Sequence, residues 1–166
     1  METAVVVDAT TEYARAVVEE REPAGRWVRL AAERHLRDLE RQGTDEFPYV
    51  FDVEKAQRVL DFFPFCRHVK GPLGGQPIYP EPFQAFIFGS IFGWVHRDTG
   101  LRRFRKAYTQ VARGNAKSTS LSVLGLYMMV ADGEMGAEIY ATATKRDQAR
   151  IVYDSARRMV LNSPDL

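Results

Sequence analysis

At the centre of this 166-residue chain is the stretch Gln110-Val111-Ala112-Arg113-Gly114-Asn115-Ala116-Lys117-Ser118-Thr119. Residues 104–111 predict a strand, and the residues 118–130, rich in Leu, Val and Met, predict a helix. A loop of small residues that ends in Lys-Ser between a strand and a helix is typical of a phosphate-binding loop, because backbone N–H groups and the helix N-terminus face the anion. In such a loop Lys117 reaches the terminal phosphates and the Ser118 hydroxyl binds Mg²⁺.

The match to the usual pattern, G-x-x-x-x-G-K-S/T, is incomplete. Val111 and Ala116 stand where the two glycines belong, and Gly114 is the one glycine inside the turn. The alternative is an ordinary helix start in which Ser118 or Asn115 is the N-cap. The motif alone leaves both interpretations open.

Composition limits the possibilities. With 45% hydrophobic residues the chain can bury one ordinary core with a smaller appendage, and its net charge of +1 excludes a uniformly basic nucleic-acid binder. The region from Arg97 to Lys117 is nevertheless basic, with Asp98 as its one acid. Such a cluster suits phosphates, although a solvated loop would look similar.

The residues after the loop predict a parallel crossover. Residues 131–136 form a turn, residues 137–142 predict a second strand, and residues 145–161 predict a helix with one apolar face. The order strand, loop, helix, strand, helix predicts a right-handed βαβ unit. Asp132 and Glu134 directly follow the first helix, so we interpret them as a surface turn, and Asp154 falls inside a helical pattern.

The first seventy residues predict a small helical region. Helices are expected over 10–22 and 25–42, and a third, with Asp52 as its N-cap, to about Phe63. One face of the second helix carries Trp27, Leu30, Ala31, His35 and Leu39. The charged residues Arg29, Glu33, Arg37, Asp38 and Glu40 lie mostly elsewhere. We therefore expect the first set to face the core.

A Gly- and Pro-rich segment, residues 70–77, predicts a linker or a tightly turned loop, and an aromatic helix begins after it near Pro82. Phe83 and Gln84 stand at the start of that helix. An aromatic face can stack on a purine, and a Gln amide can both donate to and accept from the adenine edge. The alternative is a packed aromatic residue followed by a capping Gln.

The single cysteine, Cys66, cannot form an internal disulfide and lies in an apolar run, which predicts a small core residue. Together with His68 it makes too small a set for a metal site. No secretion signal and no apolar run of about 18 residues is visible. We expect a soluble, intracellular protein.

Taken together, the motifs resemble the large terminase subunits of tailed double-stranded DNA bacteriophages. The resemblance spans approximately Trp27 to Leu166 and rests on the order and spacing of its parts. These are the Lys70-Gly71 to Pro77-Ile78 loop, Pro82-Phe83-Gln84, Phe92-Gly93-Trp94, Arg103-Phe104, the loop from Val111 to Ser118, Asp132-Gly133-Glu134, Asp147-Gln148-Ala149 and Asn162-Ser163-Pro164. Members of this family often carry Arg-x-Asn-Gly/Ala-Lys-Ser/Thr in place of a regular Walker A loop.

The resemblance implies an α/β fold. A P-loop NTPase-type parallel βαβ core, incomplete in this chain, would occupy residues 76–166 as the N-terminal portion of an ATPase domain, after a helical region over residues 1–75. Lys117 would neutralise the β- and γ-phosphates of bound ATP, and Ser118 would ligate Mg²⁺. Arg113 would lie beside the γ-phosphate as a charge stabiliser or nucleotide sensor. Gly114, Asn115 and Ala116 would supply backbone N–H donors, and Ala112 and Thr119 would belong to the same nucleotide-binding loop. Phe83 and Gln84 would hold adenine.

The resemblance also implies a viral DNA-packaging motor that couples ATP hydrolysis to movement of double-stranded DNA into the procapsid. Partners would be DNA, the small terminase subunit and the portal, with a homo-oligomeric ring at the procapsid in the host cytoplasm. The family's Walker B strand and nuclease domain are not visible, so we expect a piece of a longer polypeptide that hydrolyses ATP weakly alone. The alternatives are another helicase-like P-loop ATPase and a non-catalytic helical interaction module.

Overall fold

A computed structural model describes residues 8–166, which fall into two compact units. The described part of the first unit comprises residues 8–60 and 80–107, and the second comprises residues 61–79 and 108–166. The boundary that the sequence predicts at residue 75 separates two functional regions, whereas the two units are separated by their contacts. The functional boundary stays a prediction. In the described residues no helix is long and apolar enough to cross a membrane.

The first unit is built on helices α1 (Ala9–Val18), α2 (Arg26–Glu40) and α4 (Pro82–Gly93), with α1 packed against the other two. Asp8 starts α1, because its side chain accepts a hydrogen bond from the Thr11 N–H at 2.7 Å. Apolar side chains from all three helices form one buried cluster. Its members are Tyr13, Ala14, Val17, Ala32 and Phe86.

A two-stranded antiparallel sheet completes the first unit. Strand β1 (Tyr49–Phe51) pairs with β2 (Trp94–His96), and Phe51 lies opposite Trp94. Helix α3 (Val53–Phe62) begins directly after β1, where Asp52 accepts from the Lys55 N–H at 3.0 Å, so the predicted N-cap is confirmed. Gly93 ends α4 beside the sheet, and a Cβ there would lie only 2.5 Å from the Phe51 ring.

The buried side of α2 differs from the predicted one. Trp27 is 75% exposed and Leu30 is exposed, whereas Asp38 is fully buried beside Ala32 and His35. Asp38 can be buried because Arg103 reaches its carboxylate at 2.7 Å. The prediction was wrong at these positions because the partner that neutralises Asp38 is distant in sequence.

The second unit packs α5 (Lys117–Val130) against α6 (Arg146–Asn162), and both helices lie where the sequence predicts them. Residues 61–79 belong to the same unit. They contain a single 3-10 turn (Phe63–Phe65) and a tight loop in which His68 and Gln76 pair through their backbones at 2.9 Å. The unit's buried side chains include the predicted core residue Cys66, whose pKa burial raises to about 12. Others are Phe63, Val123, Leu126, Tyr127 and Met159.

The strands predicted over residues 104–111 and 137–142 are not present, and both segments are irregular. A strand needs a neighbouring strand for its N–H and C=O groups, and neither segment has one within the described residues. Residues 105–110 are exposed, as their polar side chains favour. The described fold is therefore mixed, with helices and a small sheet, and its observed strands are antiparallel rather than the expected parallel pair.

Candidate phosphate-binding site

The predicted phosphate loop turns sharply through two left-handed residues. Gly114 has φ of 93° and Ala116 has φ of 50°, after which α5 begins at Lys117. Glycine adopts this conformation freely, whereas alanine is strained by its Cβ. A Cβ built on Gly114 would meet nothing within 4 Å, so backbone conformation, not crowding, explains the glycine.

Helix α5 begins without a side-chain cap. Its N-cap is Ala116, which makes no side-chain capping hydrogen bond. Asn115 instead donates its side-chain amide to the Ala112 carbonyl at 3.2 Å, and Ser118 lies inside the first turn. Neither residue is the N-cap that the ordinary interpretation requires. The N–H groups at such a helix start can donate to an external anion.

Lys117 lies over the loop rather than extending from it. Its Nζ donates to the carbonyl oxygens of Val111 at 2.6 Å and of Ala112 at 3.2 Å. The ammonium group is thus held at the two carbonyl groups that begin the loop. An anion at the helix N-terminus would meet this positive charge as well as the backbone donors.

The other loop residues are accessible. Residues 112–118 are exposed and Thr119 is half-buried. Arg113 lies in the turn and makes no ion pair with any described residue. Its guanidinium can therefore reach a ligand without breaking an existing contact.

Phe83 and Gln84 belong to the first unit, whereas the loop belongs to the second. Gln84 is only 6% exposed and forms a capping box with Glu81, because its Oε1 accepts from the Glu81 N–H at 3.0 Å. Phe83 is partly buried against the cluster around Tyr13 and Phe86. Packing and capping thus account for both side chains, and their adenine role stays a prediction.

The acidic residues after the loop lie where the sequence predicts. Helix α5 continues without interruption to Val130, and Asp132 and Glu134 follow it in a turn. Asp154 lies inside α6, paired with Arg150 at 3.3 Å. Among the described residues there is no group of three or more His, Cys, Asp or Glu side chains that could hold a metal ion.

Some residues of the basic cluster expected around the loop make contacts elsewhere, and the others are exposed. Arg103 is paired with Asp38, Arg97 is paired with Asp45 at 2.7 Å, and Arg102 lies 5.0 Å from the Phe92 ring centroid. These side chains contribute to the first unit's structure. The remaining basic residues of the cluster, Arg105, Lys106, Arg113 and Lys117, are exposed.

One residue near the loop was missed by the sequence analysis. Ser122 is 1% exposed, and its hydroxyl lies 2.8 Å from the Ser118 carbonyl and 2.9 Å from the Val152 carbonyl of α6. A serine four residues after Ser118 is a helical neighbour, so the first contact could be predicted from spacing. The second joins residues 30 positions apart, and no local pattern predicts it.

Comparison with known protein families is consistent with this geometry. The model of the family described as "Terminase large subunit, ATPase domain" matches residues 82–166, just over half of the chain. Searches of curated proteins and of solved structures returned no significant match. The matched segment includes the start of α4, the loop and both helices of the second unit. The chain therefore belongs to the terminase large subunit family, and its matched segment belongs to the ATPase domain of that family.

Proposed function

We propose that this chain supplies the ATP-binding part of a viral DNA-packaging motor, in which ATP hydrolysis drives double-stranded DNA into the procapsid. Membership of the terminase family supports the motor role. The observation that carries the proposal is the uncapped N-terminus of α5, which begins at Lys117 after a turn with two left-handed residues and whose lysine folds back onto the loop. Backbone donors, a helix dipole and a cation then converge on one position, as triphosphate binding requires.

Each loop residue has a role in this proposal. Ala112, Gly114, Asn115, Ala116 and Thr119 supply backbone contacts to the phosphates. Lys117 leaves the Val111 and Ala112 carbonyls to neutralise the β- and γ-phosphates, and Arg113 stabilises charge at the γ-phosphate. This assignment extends the P-loop interpretation to a chain in which Ala116 replaces the usual glycine.

The residues present fit a bound Mg²⁺. The ion normally keeps several waters and takes one or two protein ligands besides the phosphates. Ser118, exposed in the first turn of α5, is the protein ligand that we propose. Mg²⁺ would supply charge neutralisation at the phosphate oxygens when bound.

We propose that Phe83 and Gln84 bind the adenine base. The Gln84 Oε1 accepts from the Glu81 N–H, and an amide can both donate to and accept from an adenine edge, which is the role that we propose for it. The phenyl ring of Phe83 keeps part of its surface exposed and can stack on a purine. Selectivity for ATP over GTP would then depend on the Gln84 amide.

The wider assembly follows from the same proposal. The partners would be double-stranded DNA, the small terminase subunit and the portal of the procapsid, with a homo-oligomeric ring in the host cytoplasm. Within the chain, residues 1–75 would form the helical region and residues 76–166 the start of the P-loop ATPase domain. Asp132, Glu134 and Asp154 lie in a turn and a helix, so we expect this chain alone to hydrolyse ATP weakly.

The first test is binding of a fluorescent ATP analogue with Mg²⁺ at low salt. We expect the wild-type chain to bind and Lys117→Ala to abolish binding, because the substitution removes the loop's cation. Lys145→Ala is the matched control, since Lys145 is an exposed lysine of the same unit at the start of α6. Absence of binding by the wild type, or equal binding by the Lys117 variant, would contradict the phosphate site.

The second test separates adenine recognition from helix capping. Gln84→Ala removes the amide and half of the capping box, whereas Glu81→Ala removes the other half and leaves the amide. We expect Gln84→Ala to weaken ATP more than GTP, and Glu81→Ala to leave the ratio of the two affinities unchanged. An equal effect of both variants on that ratio would mean that Gln84 acts only as a capping residue.

A further inference from the structure

Ser122 connects the start of α5 to α6. Its hydroxyl oxygen lies 2.8 Å from the Ser118 carbonyl oxygen, one turn earlier in the same helix, and 2.9 Å from the Val152 carbonyl oxygen in α6. Both oxygens are also positioned to accept the ordinary helical N–H bonds of their own helices. A hydroxyl has only one proton, so Ser122 shares it between the two carbonyls or alternates between them.

The contact with Ser118 bears on the phosphate loop through a single peptide group. The Ser118 carbonyl and the Thr119 N–H belong to the same planar trans peptide and point in opposite directions. A hydrogen bond at the carbonyl therefore fixes the plane in which the N–H lies and polarises that N–H. The Thr119 N–H lies in the first turn of α5, whose N-cap residue, Ala116, makes no side-chain capping hydrogen bond.

We propose that Ser122 is a positioning residue for the phosphate loop, which sets the direction and strength of the Thr119 N–H and ties this peptide to α6. The inference rests on the proposed ATP site for its functional consequence. Its structural part, the link from Ser122 to the Ser118–Thr119 peptide, stands independently. A displacement of α6 would reach the loop through the Val152 contact.

The choice of residue at position 122 supports this role. The side chain is 1% exposed, and a hydroxyl in a helix interior gives no gain in helix propensity over alanine. Bonding back to the carbonyl four residues earlier even destabilises a helix slightly. Packing alone does not require a hydroxyl at this position, whereas the hydrogen bond to the Val152 carbonyl does.

The first experiment observes the peptide without ligand. In ¹H–¹⁵N spectra of the full chain, we expect Ser122→Ala to shift the Thr119 amide upfield in both dimensions, because its carbonyl partner loses a donor. Val123→Ala is the matched control, since Val123 is fully buried in the same helix and cannot donate. An unshifted Thr119 amide in Ser122→Ala, or an equal shift in the control, would overturn the structural part.

The second experiment measures affinity for the fluorescent ATP analogue with Mg²⁺. We expect Ser122→Ala to weaken binding about threefold to tenfold, the loss typical of one hydrogen bond. The affinity of Val123→Ala for the analogue should stay within about twofold of that of the wild type, measured under conditions in which both proteins are folded. Ser122→Cys, with its weaker donor, should fall between serine and alanine and replaces the alanine variant if that variant does not fold.

The outcomes separate the two proposals. If the wild type binds and Lys117→Ala does not, but Ser122→Ala binds as tightly as wild type, the positioning role is wrong while the ATP site stands. If the wild type does not bind at all, the proposed function and the functional part of this inference both fail. The Thr119 amide then still decides whether Ser122 controls the peptide.

Discussion

Trp94 donates its indole N–H to Nδ1 of His35 at 3.1 Å, although the two residues are 59 positions apart. The bond requires an unprotonated Nδ1, so the imidazole is neutral and carries its proton on Nε2. Nε2 lies 3.1 Å from the Thr11 hydroxyl oxygen, so its N–H donates a hydrogen bond to that oxygen. The imidazole is buried between these partners, with the Phe51 and Phe86 rings at its edges.

Stability should therefore depend on pH through His35. Burial is the largest cause that lowers its pKa from 6.5 to about 4, and the nearby Arg34 and Arg103 add to it against the opposing effect of Asp8 and Asp38. Between these two values the unfolded chain binds a proton that the folded chain does not. The free energy of unfolding should thus fall as pH decreases from 6.5 to 4, by at most about 3 kcal/mol.

Urea unfolding at a series of pH values measures this dependence. His35→Gln is the comparison, because glutamine keeps polar atoms but does not titrate in this range. We expect the variant to be less stable at pH 7 and to lose less stability on acidification than wild type. Parallel pH curves for the two proteins would show that His35 does not control the effect.

Asp38 and Arg103 form another long-range polar contact of the first unit. The Asp38 side chain is 1% exposed, and burial raises its pKa, but hydrogen bonds from Arg103 and Arg41 more than offset this and lower it overall. Arg103→Met should destabilise the protein by about 3 to 5 kcal/mol, because it leaves a buried carboxylate without its main partner. Urea unfolding at pH 7 measures this loss.

Arg41 provides the matched control, since it binds the same carboxylate at 2.7 Å from a half-exposed position. Arg41→Met should cost about 1 kcal/mol or less, because solvent screens the exposed end of this pair. Equal losses in the two variants would mean that burial does not distinguish the two arginines.

The sequence predicts the helices of this chain because their signals are local. Periodicity indicates α5 and α6 over nearly their observed bounds, and Asp52 indicates the start of α3. Strand pairing is not local, and β1 and β2 pair residues 43 to 47 positions apart, as Phe51 with Trp94 and Tyr49 with His96 show. No short pattern predicts such a pairing, and the segments that did resemble strands have no neighbour to pair with.

The candidate site likewise has local features that the sequence predicts and other features that it does not. The order of Gly114, Lys117 and Ser118 is visible in the sequence, and the structure places these residues in one turn and the helix start after it. The left-handed backbone of Ala116 is not visible in the sequence, because alanine gives no indication of positive φ. The buried state of Asp38 also could not be predicted, since its partner Arg103 lies 65 residues away.

Ala116 should be a strained position. Alanine in place of the usual glycine adds a methyl group to the loop, and its φ of 50° also makes the backbone conformation unfavourable. Ala116→Gly should raise the free energy of unfolding by up to about 1 kcal/mol, because relief of the strain exceeds the extra entropy of the unfolded chain. Ala112→Gly, a change in the same exposed loop at a residue without positive φ, should not stabilise. Thermal and urea unfolding of both variants measure the difference, and a less stable Ala116→Gly would show that the turn is not strained.

The two helix glycines at positions 89 and 125 should respond oppositely to alanine. A Cβ on Gly89 would lie 1.9 Å from the Thr10 Oγ1, whereas one on Gly125 would make an ordinary 3.6 Å contact with Ile139. Gly89→Ala should therefore destabilise by about 1 to 3 kcal/mol through overpacking between α1 and α4. Gly125→Ala should stabilise by up to about 1 kcal/mol, because alanine favours the helix interior.

A double substitution identifies the cause of the Gly89 effect. In a Thr10→Ala background the clashing hydroxyl is absent, so Gly89→Ala should cost clearly less than it does in the wild type. Urea unfolding of the four proteins in this cycle gives the coupling between the two positions. A coupling of zero would mean that Thr10 is not what excludes a side chain at position 89, and that α1 and α4 do not depend on the glycine for their close approach.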